Sequence, residues 1–567
     1  MYDVFSFNLL LYFQQALCGP SRTSLLTSRR PDTTGVVDAH HYWRDTHNFT
    51  TLPQHFKQHG YYTASAGKVF HPGRCSNYSD DAPYSWSAVP YHPSSEQYKN
   101  FPACGPHKNM TNIVCPVLVR DQPESTLPDL QTTHYAISFL QHWKNVQNGG
   151  QLNENLMPTD YHFWRKNYRV RRQKGFMKDN KESVSLTNTS HGGCQPFFLA
   201  VGYHKPHIPL KFPRRFLELF PLPEVPLPPD DRLPPGLPSV AYNPWNDLRW
   251  RDDVAALNLS FPYQPMPDDY SRLIRQAYYA ATAYTDSLIE NLLSATSLLH
   301  PHTLVVLMGD HGWSLGEHQE WSKFSNYEVA TRVPLVMAPI SRYAQAKHSL
   351  MTDQRNPKYN RYKTYRKLGE KLLSRLHKWP GSVRVNYEQY WKDKNGDEVK
   401  MHSRSFNFYG WLKKHMLHDF RKLSGVEQSR NFHGDVKSTL DVKSVVDKGR
   451  KIWLNLKENY TYTGAIRPVS RVVDLGRCLK DMLQGKLAIS QYPRPSLSPS
   501  QHPDSDQPKL KEIKVMGYSM RSHCFRYTLW VAYNCTTQVP DFDDIAGEEL
   551  YDHRFDPRED HNILRLI

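Results

Sequence analysis

A cysteine followed by proline, serine and arginine is the first group of residues in this sequence that could do chemistry. Cys18-Gly19-Pro20-Ser21-Arg22 precedes a short apolar run that ends at Thr27. Pro20 fits the first turn of a helix, where its missing N–H costs nothing. A nucleophile just ahead of that turn faces free backbone N–H groups and the positive end of the helix dipole, and Arg22 adds a planar donor fork for a tetrahedral anion. A buried or disulfide-bonded cysteine beside a structural arginine is the alternative, and the motif alone leaves both open.

Other polar residues that could belong to a site follow apolar runs further along the chain. Asp310 and His311 together offer an oxygen and a nitrogen that can hold a divalent cation. Each further candidate also has an ordinary explanation as a turn aspartate, a satisfied histidine or a surface cation. These candidates are Lys68, His71, His204, Lys205, His207 and Lys323.

The elements that must position these residues alternate between short apolar strands and amphipathic helices. Strands are predicted at residues 61–66, 196–201 and 303–308, the last two as buried runs, and each leads directly into one of the candidate loops. Helices are predicted at Cys18 and the residues that follow it, and at residues 51–60, 131–143 and 269–293. Polar loops at the carboxyl ends of apolar strands are typical of an α/β protein with a largely parallel sheet.

The charge of the chain is concentrated in one segment. The net charge is +16, and residues 341–450 hold 25 Lys and Arg against 11 Asp and Glu, a surplus of +14 that leaves about +2 for the rest. The charges are scattered and no nucleic-acid reader motif accompanies them, so we expect no nucleic-acid partner. No run of 18 apolar residues occurs, so we also expect no membrane span.

Glycosylation motifs and cysteines indicate the secretory pathway. The chain has eight cysteines and no CxxC metal pair. The first residues lack the basic region of a signal peptide, and we expect the sequence to be the remnant of a longer chain. Asn-x-Ser/Thr motifs, each a candidate glycosylation site, occur at Asn48, Asn77, Asn109, Asn188, Asn258, Asn459 and Asn534.

The Cys-x-Pro-Ser-Arg motif with its apolar run and threonine resembles the signature of the type I sulfatases, an alkaline-phosphatase-like family. The resemblance implies an α/β fold with a mostly parallel central sheet flanked by helices, and a smaller C-terminal α+β subdomain. Residues 1–340 would form the catalytic domain without its first strand, with an inserted loop at 144–193. Residues 341–485 form a basic segment without an assigned structure, and 486–567 the C-terminal subdomain. The similar blocks are 18–22, 29–34, 67–72, 83–87, 91–96, 197–209, 240–245, 314–318, 490–496, 513–519 and 560–562.

The resemblance implies a nucleophile and a metal. Cys18 would be oxidised to formylglycine by the formylglycine-generating enzyme in the endoplasmic reticulum, and the aldehyde hydrate would attack sulfur. Asp310 and His311, with the residue at position 18, would bind one Ca²⁺. Family members take two further calcium ligands from an Asp-Asp pair on a first strand. Seventeen residues precede Cys18 and the single acidic one is Asp3, so we expect that strand to be missing.

The resemblance also implies roles for the surrounding cations and imidazoles. Arg22, Lys68 and Lys323 would stabilise charge on the nucleophile and on sulfate. His207 would be the general acid at the leaving oxygen, and His71 would support the formylglycine.

Substrate recognition follows from the same resemblance. Lys205 and Trp313 would bind the sugar, and Cys104 and Cys115 would form a disulfide. The similar member is a lysosomal sulfuric ester hydrolase that removes 2-O-sulfate from iduronate residues of heparan sulfate and dermatan sulfate. A catalytically inactive, glycan-binding relative and a sulfatase for another sulfated sugar are the alternatives.

Three departures from the family pattern bear on this choice. Ser28 stands where the family has a glycine, and Gln507 stands where a lysine is expected to contact the substrate carboxylate. Residues 341–485 do not resemble the corresponding family region. Retention of Cys18 and its surrounding cations favours the enzyme, because an inactive relative has no need of the nucleophile.

Overall fold

The computed structural model describes residues 11–105, 109–148, 195–341, 487–502 and 505–566. The predictions for the basic segment beyond residue 341 and for the inserted loop beyond residue 148 lie outside these ranges. In the described residues no helix is both long and apolar enough to cross a membrane.

The part of the chain up to residue 341 contains all the described α-helices and ten of the strands. The helices are α1 Cys18–Thr27, α2 Pro31–Thr34, α3 Leu52–Gln58, α4 Pro128–Gln147, α5 Asn246–Arg249, α6 Asp252–Ala255, α7 Asp268–Leu299 and α8 Glu328–Thr331. The strands in this part are β1 Leu11–Tyr12, β2 Tyr62–Gly67, β3 Val114–Val117, β4 Phe197–Gly202, β5 Leu210–Pro213, β6 Leu304–Met308, β7 Ser314–Leu315, β8 Trp321–Ser322, β9 Arg332–Val333 and β10 Leu335–Pro339. The C-terminal part has β11 Ala488–Arg494, β12 Val515–Arg521, β13 Phe525–Asn534 and β14 Val539–Asp552.

Short 3₁₀ helices connect many of these elements. They are Trp43–Asp45, Arg74–Ser76, Ser94–Tyr98, Val119–Asp121, Pro123–Ser125, Arg214–Leu219, Leu222–Glu224, Ser239–Ala241, Glu317–Gln319, Leu510–Glu512 and Ile563–Leu566.

Local sequence explains where the helices begin and end. α3 starts after Thr51, whose hydroxyl accepts from the backbone N–H of Gln54 in a capping box. α4 begins at Pro128, which suits a first helical position. The helix predicted at 131–143 runs on to Gln147, so residues 144–147 are helical and do not belong to the predicted inserted loop. The long α7 buries a stripe at helical spacing, with Ala277, Ala281 and Leu288 inside.

Ser28 ends α1 in the left-handed conformation, with φ of +56°. This conformation costs a serine more than a glycine, which explains why a glycine is expected at this position. The departure at Ser28 is therefore accommodated by strain at the end of the helix that carries Cys18.

Parallel and antiparallel strand pairs both occur. β2 pairs parallel with β4, from Tyr62 opposite Phe197 to Gly67 opposite Gly202. β3 and β5 are also parallel, whereas β6 pairs antiparallel with β10 and β1 with β9. The α/β class is confirmed, with the parallel pairing concentrated in β2–β5.

The strand at 303–308 is less buried than predicted. Leu304 is 49% exposed and Val306 is 45% exposed, and every residue of β4 is half-buried. Within the described residues β4 hydrogen-bonds only to β2, and β6 only to β10. Within the described part of the chain each of these strands therefore has one edge without a partner, which accounts for its exposure, and the prediction of full burial for both strands was wrong.

Two glycines let the ends of β2 and β4 approach each other closely. A Cβ on Gly202 would lie 1.9 Å from the carbonyl oxygen of Lys68, which excludes any side chain there. Gly67 has φ of +73°, which favours glycine. The chain therefore turns sharply at this point and brings Lys68 beside the loop that follows β4.

The C-terminal part is a four-stranded antiparallel sheet in the order β11-β12-β13-β14. Its described helices are the two 3₁₀ turns at residues 510–512 and 563–566. β11 also binds the segment that leads into Cys18: Gln491 N–H donates to Gln14 O at 2.6 Å, and Ser490 Oγ donates to Phe13 O at 2.8 Å. The start of α1 is thus fixed by residues near the end of the chain.

The disulfide between Cys104 and Cys115 is present, and Cys524 is also disulfide-bonded. Cys18, Cys75 and Cys535 are free thiols. Among the glycosylation candidates, Asn48, Asn109, Asn258 and Asn534 are exposed and Asn77 is half-buried, while Asn188 and Asn459 lie outside the described residues.

Candidate functional site

Cys18 is the first residue of α1 and is 3% exposed. Three nitrogens surround its sulfur: Lys323 Nζ at 3.3 Å, His311 Nε2 at 3.3 Å and Lys68 Nζ at 3.4 Å. The fold thus brings together residues from α1, from the loop after β2, from the loop after β6 and from the loop after β8. Cations at this distance suit a negatively charged group at position 18.

The electrostatics of the cluster stabilise an anion at Cys18. Burial raises the pKa of the Cys18 thiol, but Lys323, Lys68 and His311 outweigh it and bring the pKa well below its ordinary value. Burial lowers the pKa of the Lys68 ammonium. The position can therefore carry a reactive oxygen or sulfur anion without further neutralisation.

Asp310 and His311 lie beside the cysteine, where the sequence placed them. Arg22 Nε donates to Asp310 Oδ2 at 2.8 Å, and Arg22 Nη1 donates to the carbonyls of Lys68 and Val69. His311 Nδ1 lies 2.8 Å from the carbonyl of Gly312. Since a carbonyl only accepts, Nδ1 carries a proton and donates to it, which orients the ring with Nε2 toward Cys18 and Asp310.

A metal could be held by Cys18, Asp310 and His311, whose ligand atoms lie within 4.8 Å of one another. Ca²⁺ takes about six to eight oxygen ligands. Within the part of the chain that the structure describes, this group offers one carboxylate, and Arg22 already pairs with it. The described residues therefore do not make a complete Ca²⁺ site.

His207 lies beside both Lys323 and Cys18. Its Nε2 is 3.3 Å from Lys323 Nζ, and its Nδ1 donates to the carbonyl of Ile208 at 2.7 Å. Burial and the charges of Lys323 and Lys68 lower the pKa of His207 well below its ordinary value. The imidazole is thus neutral, with the Nε2 lone pair turned toward Lys323, until an anion enters the site.

The two residues expected to bind the sugar differ in their availability. Trp313 is 8% exposed, its ring centroid is 6.5 Å from that of His207, and Lys323 Nζ lies 5.8 Å above its ring. Lys205 donates to the carbonyls of His207 and Pro209 at 2.6 and 2.9 Å. Its ammonium is therefore engaged inside its own loop.

His71 and Gln507 are not among the residues whose side-chain nitrogens surround the sulfur of Cys18. Burial, followed by the charge of Lys68, lowers the pKa of His71 to about 3, so its ring is neutral. Its Nδ1 is buried and has no hydrogen-bond partner among the described residues. Gln507 is exposed, while the neighbouring Asp506 is buried and receives the backbone N–H of Asp247 at 3.0 Å. Burial, together with the charge of Asp247, raises the pKa of Asp506 to about 8.

The sequence did not identify two residues that hold the site together. Ser21 donates its hydroxyl to the backbone carbonyl of Asp310, which ties α1 to the metal candidates. Asp129 accepts the backbone N–H groups of His204 and Lys205 at 2.7 and 3.1 Å. An aspartate directly after the first proline of a helix is usually explained by its interaction with the helix dipole. Nothing in the sequence around Asp129 therefore indicated a contact with the loop that contains His204 and Lys205.

Several known proteins are similar to this chain. Human iduronate 2-sulfatase is 38% identical over 562 residues, which cover 97% of this chain and 83% of that protein. The mouse protein is 38% identical over 558 residues with the same coverage, and a sulfatase of Formosa agariphila is 26% identical over 57% of this chain and 54% of its own length. A solved structure described as a 2-O GAG sulfatase covers 99% of this chain and 81% of its own, at 14% identity and a TM-score of 0.43.

The family model described as Sulfatase matches residues 10–360. This range includes every side chain that surrounds Cys18. The chain belongs to the sulfatase family and is a sulfuric ester hydrolase.

Proposed function

We propose that this sulfatase removes 2-O-sulfate from iduronate residues of heparan sulfate and dermatan sulfate. The observation that carries the proposal is the position of Cys18, buried at the start of α1 within 3.4 Å of two lysine ammonium groups and one imidazole. The likeness to human and mouse iduronate 2-sulfatase supports this substrate class.

The roles of the residues follow from their geometry. Cys18, once converted to formylglycine by the formylglycine-generating enzyme, supplies a hydrated aldehyde that accepts the sulfuryl group. Lys68 and Lys323 hold the transferring sulfate by charge, since both approach the same atom. His207 Nε2 faces this position. The negative charge of a bound sulfate ester raises the proton affinity of the imidazole, which takes up a proton from solvent at Nε2 and gives it to the departing sugar oxygen.

Asp310 and His311 are the ligands that the described residues would contribute to Ca²⁺. Bound there, the ion would supply Lewis-acid neutralisation of sulfate oxygens. Arg22 keeps the Asp310 carboxylate ionised and oriented whether or not an ion is bound. Trp313 and the loop of Lys205 then form the sugar side of the site.

We place the protein in the lysosome, reached through the secretory pathway. Exposed glycosylation motifs at Asn48, Asn109, Asn258 and Asn534 and the disulfide of Cys104 with Cys115 support an oxidising route of maturation.

The test is secretory expression of the full chain, followed by peptide mass spectrometry at Cys18 and a sulfate-release assay. We expect an aldehyde at Cys18 and release from oligosaccharides that end in 2-O-sulfated iduronate. Cys18→Ala should abolish release, whereas Cys75→Ala, which removes another buried free thiol, should not.

Two results would contradict the proposal. Conversion of Cys18 without release from any sulfated sugar would favour the inactive, glycan-binding alternative. Release from a 6-O-sulfated glucosamine end but not from 2-O-sulfated iduronate would keep the enzyme and exclude this substrate.

A further inference from the structure

The loop that follows β4, residues 203–209, places His207 in the site. Two sets of hydrogen bonds hold this loop. Asp129, 1% exposed at the start of α4, accepts the backbone N–H groups of His204 and Lys205. Lys205 closes the loop on itself through the carbonyls of His207 and Pro209. The position of His207 therefore depends on where the Asp129 carboxylate points.

The ring of His204 lies between two carboxylates. Its Nε2 is 3.0 Å from Glu96 Oε1, and its Nδ1 is 3.5 Å from Asp129 Oδ1. The His204 side chain is 12% exposed and Glu96 is 17% exposed, so water screens these charges little. Burial lowers the pKa of His204, but Glu96 and Asp129 outweigh it and the net shift is upward.

Glu96 also faces a second buried ion pair. Its Oε2 lies 3.7 Å from His92 Nδ1, and His92 Nε2 lies 2.9 Å from Asp80 Oδ2. Burial lowers the pKa of His92, but Asp80 and Glu96 outweigh it and raise it to about 10. Carboxylates and imidazoles thus alternate from Asp80 through Glu96 to Asp129, with Glu96 as the central anion shared by both imidazoles.

We propose that Glu96 is a positioning residue of the sulfatase site. Its carboxylate keeps His204 an imidazolium, and that cation holds the Asp129 carboxylate against the N–H groups of the loop. Without Glu96, two buried imidazoles share the outer carboxylates only, and the attachment of the loop is weakened. The inference rests on the proposed function in one respect, that His207 takes part in the reaction.

The test reads the charge of His204 directly, by NMR of the full chain labelled at its histidine rings. His204→Gln and His207→Gln assign the two signals. At pH 7.5 we expect His204 to be cationic in the parent chain and to lose that charge in Glu96→Gln. We expect the His207 signals to move in the same variant, because the hydrogen bond that fixes its tautomer, to the carbonyl of Ile208, lies in the loosened loop.

Glu124→Gln is the matched control. Glu124 is an exposed carboxylate that accepts from Ser94 Oγ and Gln131 Nε2 next to the same 3₁₀ helix. The Glu124→Gln substitution should leave the NMR signals of His204 and His207 unchanged. If Glu96→Gln does not fold, Asp129→Asn replaces it, with loss of the His204 charge at pH 7.5 and displaced His207 signals expected.

Three results would overturn the proposal: a neutral His204 in the parent chain, a cationic His204 that persists in the variant, or a lost charge with unchanged His207 signals. None of these measurements uses a substrate. A chain that releases no sulfate can therefore still confirm or refute the role of Glu96, so the two proposals fail separately.

Discussion

Arg22 and Asp310, 288 residues apart in the chain, lie side by side in the site with Nε and Oδ2 separated by 2.8 Å. Burial raises the pKa of Asp310, but Arg22 and His311 outweigh it and hold it at about 2. The carboxylate is therefore ionised at every physiological pH, and its charge is already balanced by the guanidinium.

We expect this chain to bind Ca²⁺ weakly. Among the described residues the site offers one carboxylate, and each missing carboxylate removes both a ligand and a charge from a site for a hard cation. Isothermal titration calorimetry of the purified chain should show no tight, stoichiometric uptake. Tight one-to-one binding that Asp310→Asn abolishes would show that the described ligands suffice.

Replacement of Arg494 should destabilise the protein. Its guanidinium is 3% exposed and donates to the carbonyls of Val240, Ala241 and Phe324 at 3.1, 3.2 and 2.8 Å. Arg494→Met leaves these carbonyls without a donor, which should cost on the order of 3 kcal/mol in the free energy of unfolding.

The control for Arg494 is Arg332→Met, since Arg332 is 51% exposed and pairs with Glu328 one helical turn away. Its loss should change stability by about 1 kcal/mol or less. Urea titration gives the free energy of unfolding of both variants. Equal decreases would mean that the buried hydrogen bonds of Arg494 stabilise the protein no more than the exposed ion pair of Arg332 does.

Stability should fall between acidic and neutral pH because of a buried carboxyl pair. Burial, with the charges of Asp560 and Glu317, raises the pKa of Asp230 to about 7, and Arg558 opposes this shift. His318 Nε2 lies 3.5 Å from Asp230 and 3.7 Å from Asp560, and its own pKa is lowered by burial. A raised pKa means that the folded state keeps a proton which the unfolded chain has lost, so stability decreases from about pH 4 to pH 7.

The measurement is the melting temperature from pH 4 to pH 8 for the parent and for Asp230→Asn. The amide cannot ionise, so its curve should be flatter over this range. A parent protein that is most stable at pH 8, or a variant with the same slope as the parent, would contradict the assignment to Asp230.

The exposed strand β6 should make the chain self-associate. Leu304 and Val306 are about half-exposed, and among the described strands β6 pairs with β10 alone. A strand edge without a partner pairs readily with another chain. Val306→Lys should shift the protein toward the monomer in analytical ultracentrifugation. Leu298→Lys, at an 84% exposed position near the end of α7, is the control and should have little effect.

The sequence predicted those parts of the site whose signal is local. The start of α1 at Cys18 and the loops that carry Lys68, His207 and Asp310 follow from proline placement and from apolar runs that end in polar residues. Their convergence was expected from placing these strands in one largely parallel sheet. In the described residues the loops do converge, but β2 pairs with β4 and β6 pairs antiparallel with β10 in a separate sheet.

The contacts of Glu96 and Asp129 could not be predicted in the same way. Glu96 lies on a 3₁₀ helix and Asp129 on α4, and they meet only through His204, which follows β4. Such an arrangement depends on tertiary packing and leaves no periodic pattern. The exposure of β6 was also unforeseen, because an apolar run indicates a strand but does not show which of its neighbours are present.

The hydrogen bond from Ser490 to Phe13 joins residues that are 477 positions apart in the chain. Phe13 lies five residues before Cys18. During synthesis at about 5 to 20 residues per second, β11 emerges roughly 25 to 100 s after this segment. Until then the segment ahead of α1 lacks the partner that fixes it in the finished fold. An enzyme that modifies Cys18 in an extended chain therefore has this interval in which to act. The interval ends when β11 has been synthesised and pairs with the segment before Cys18.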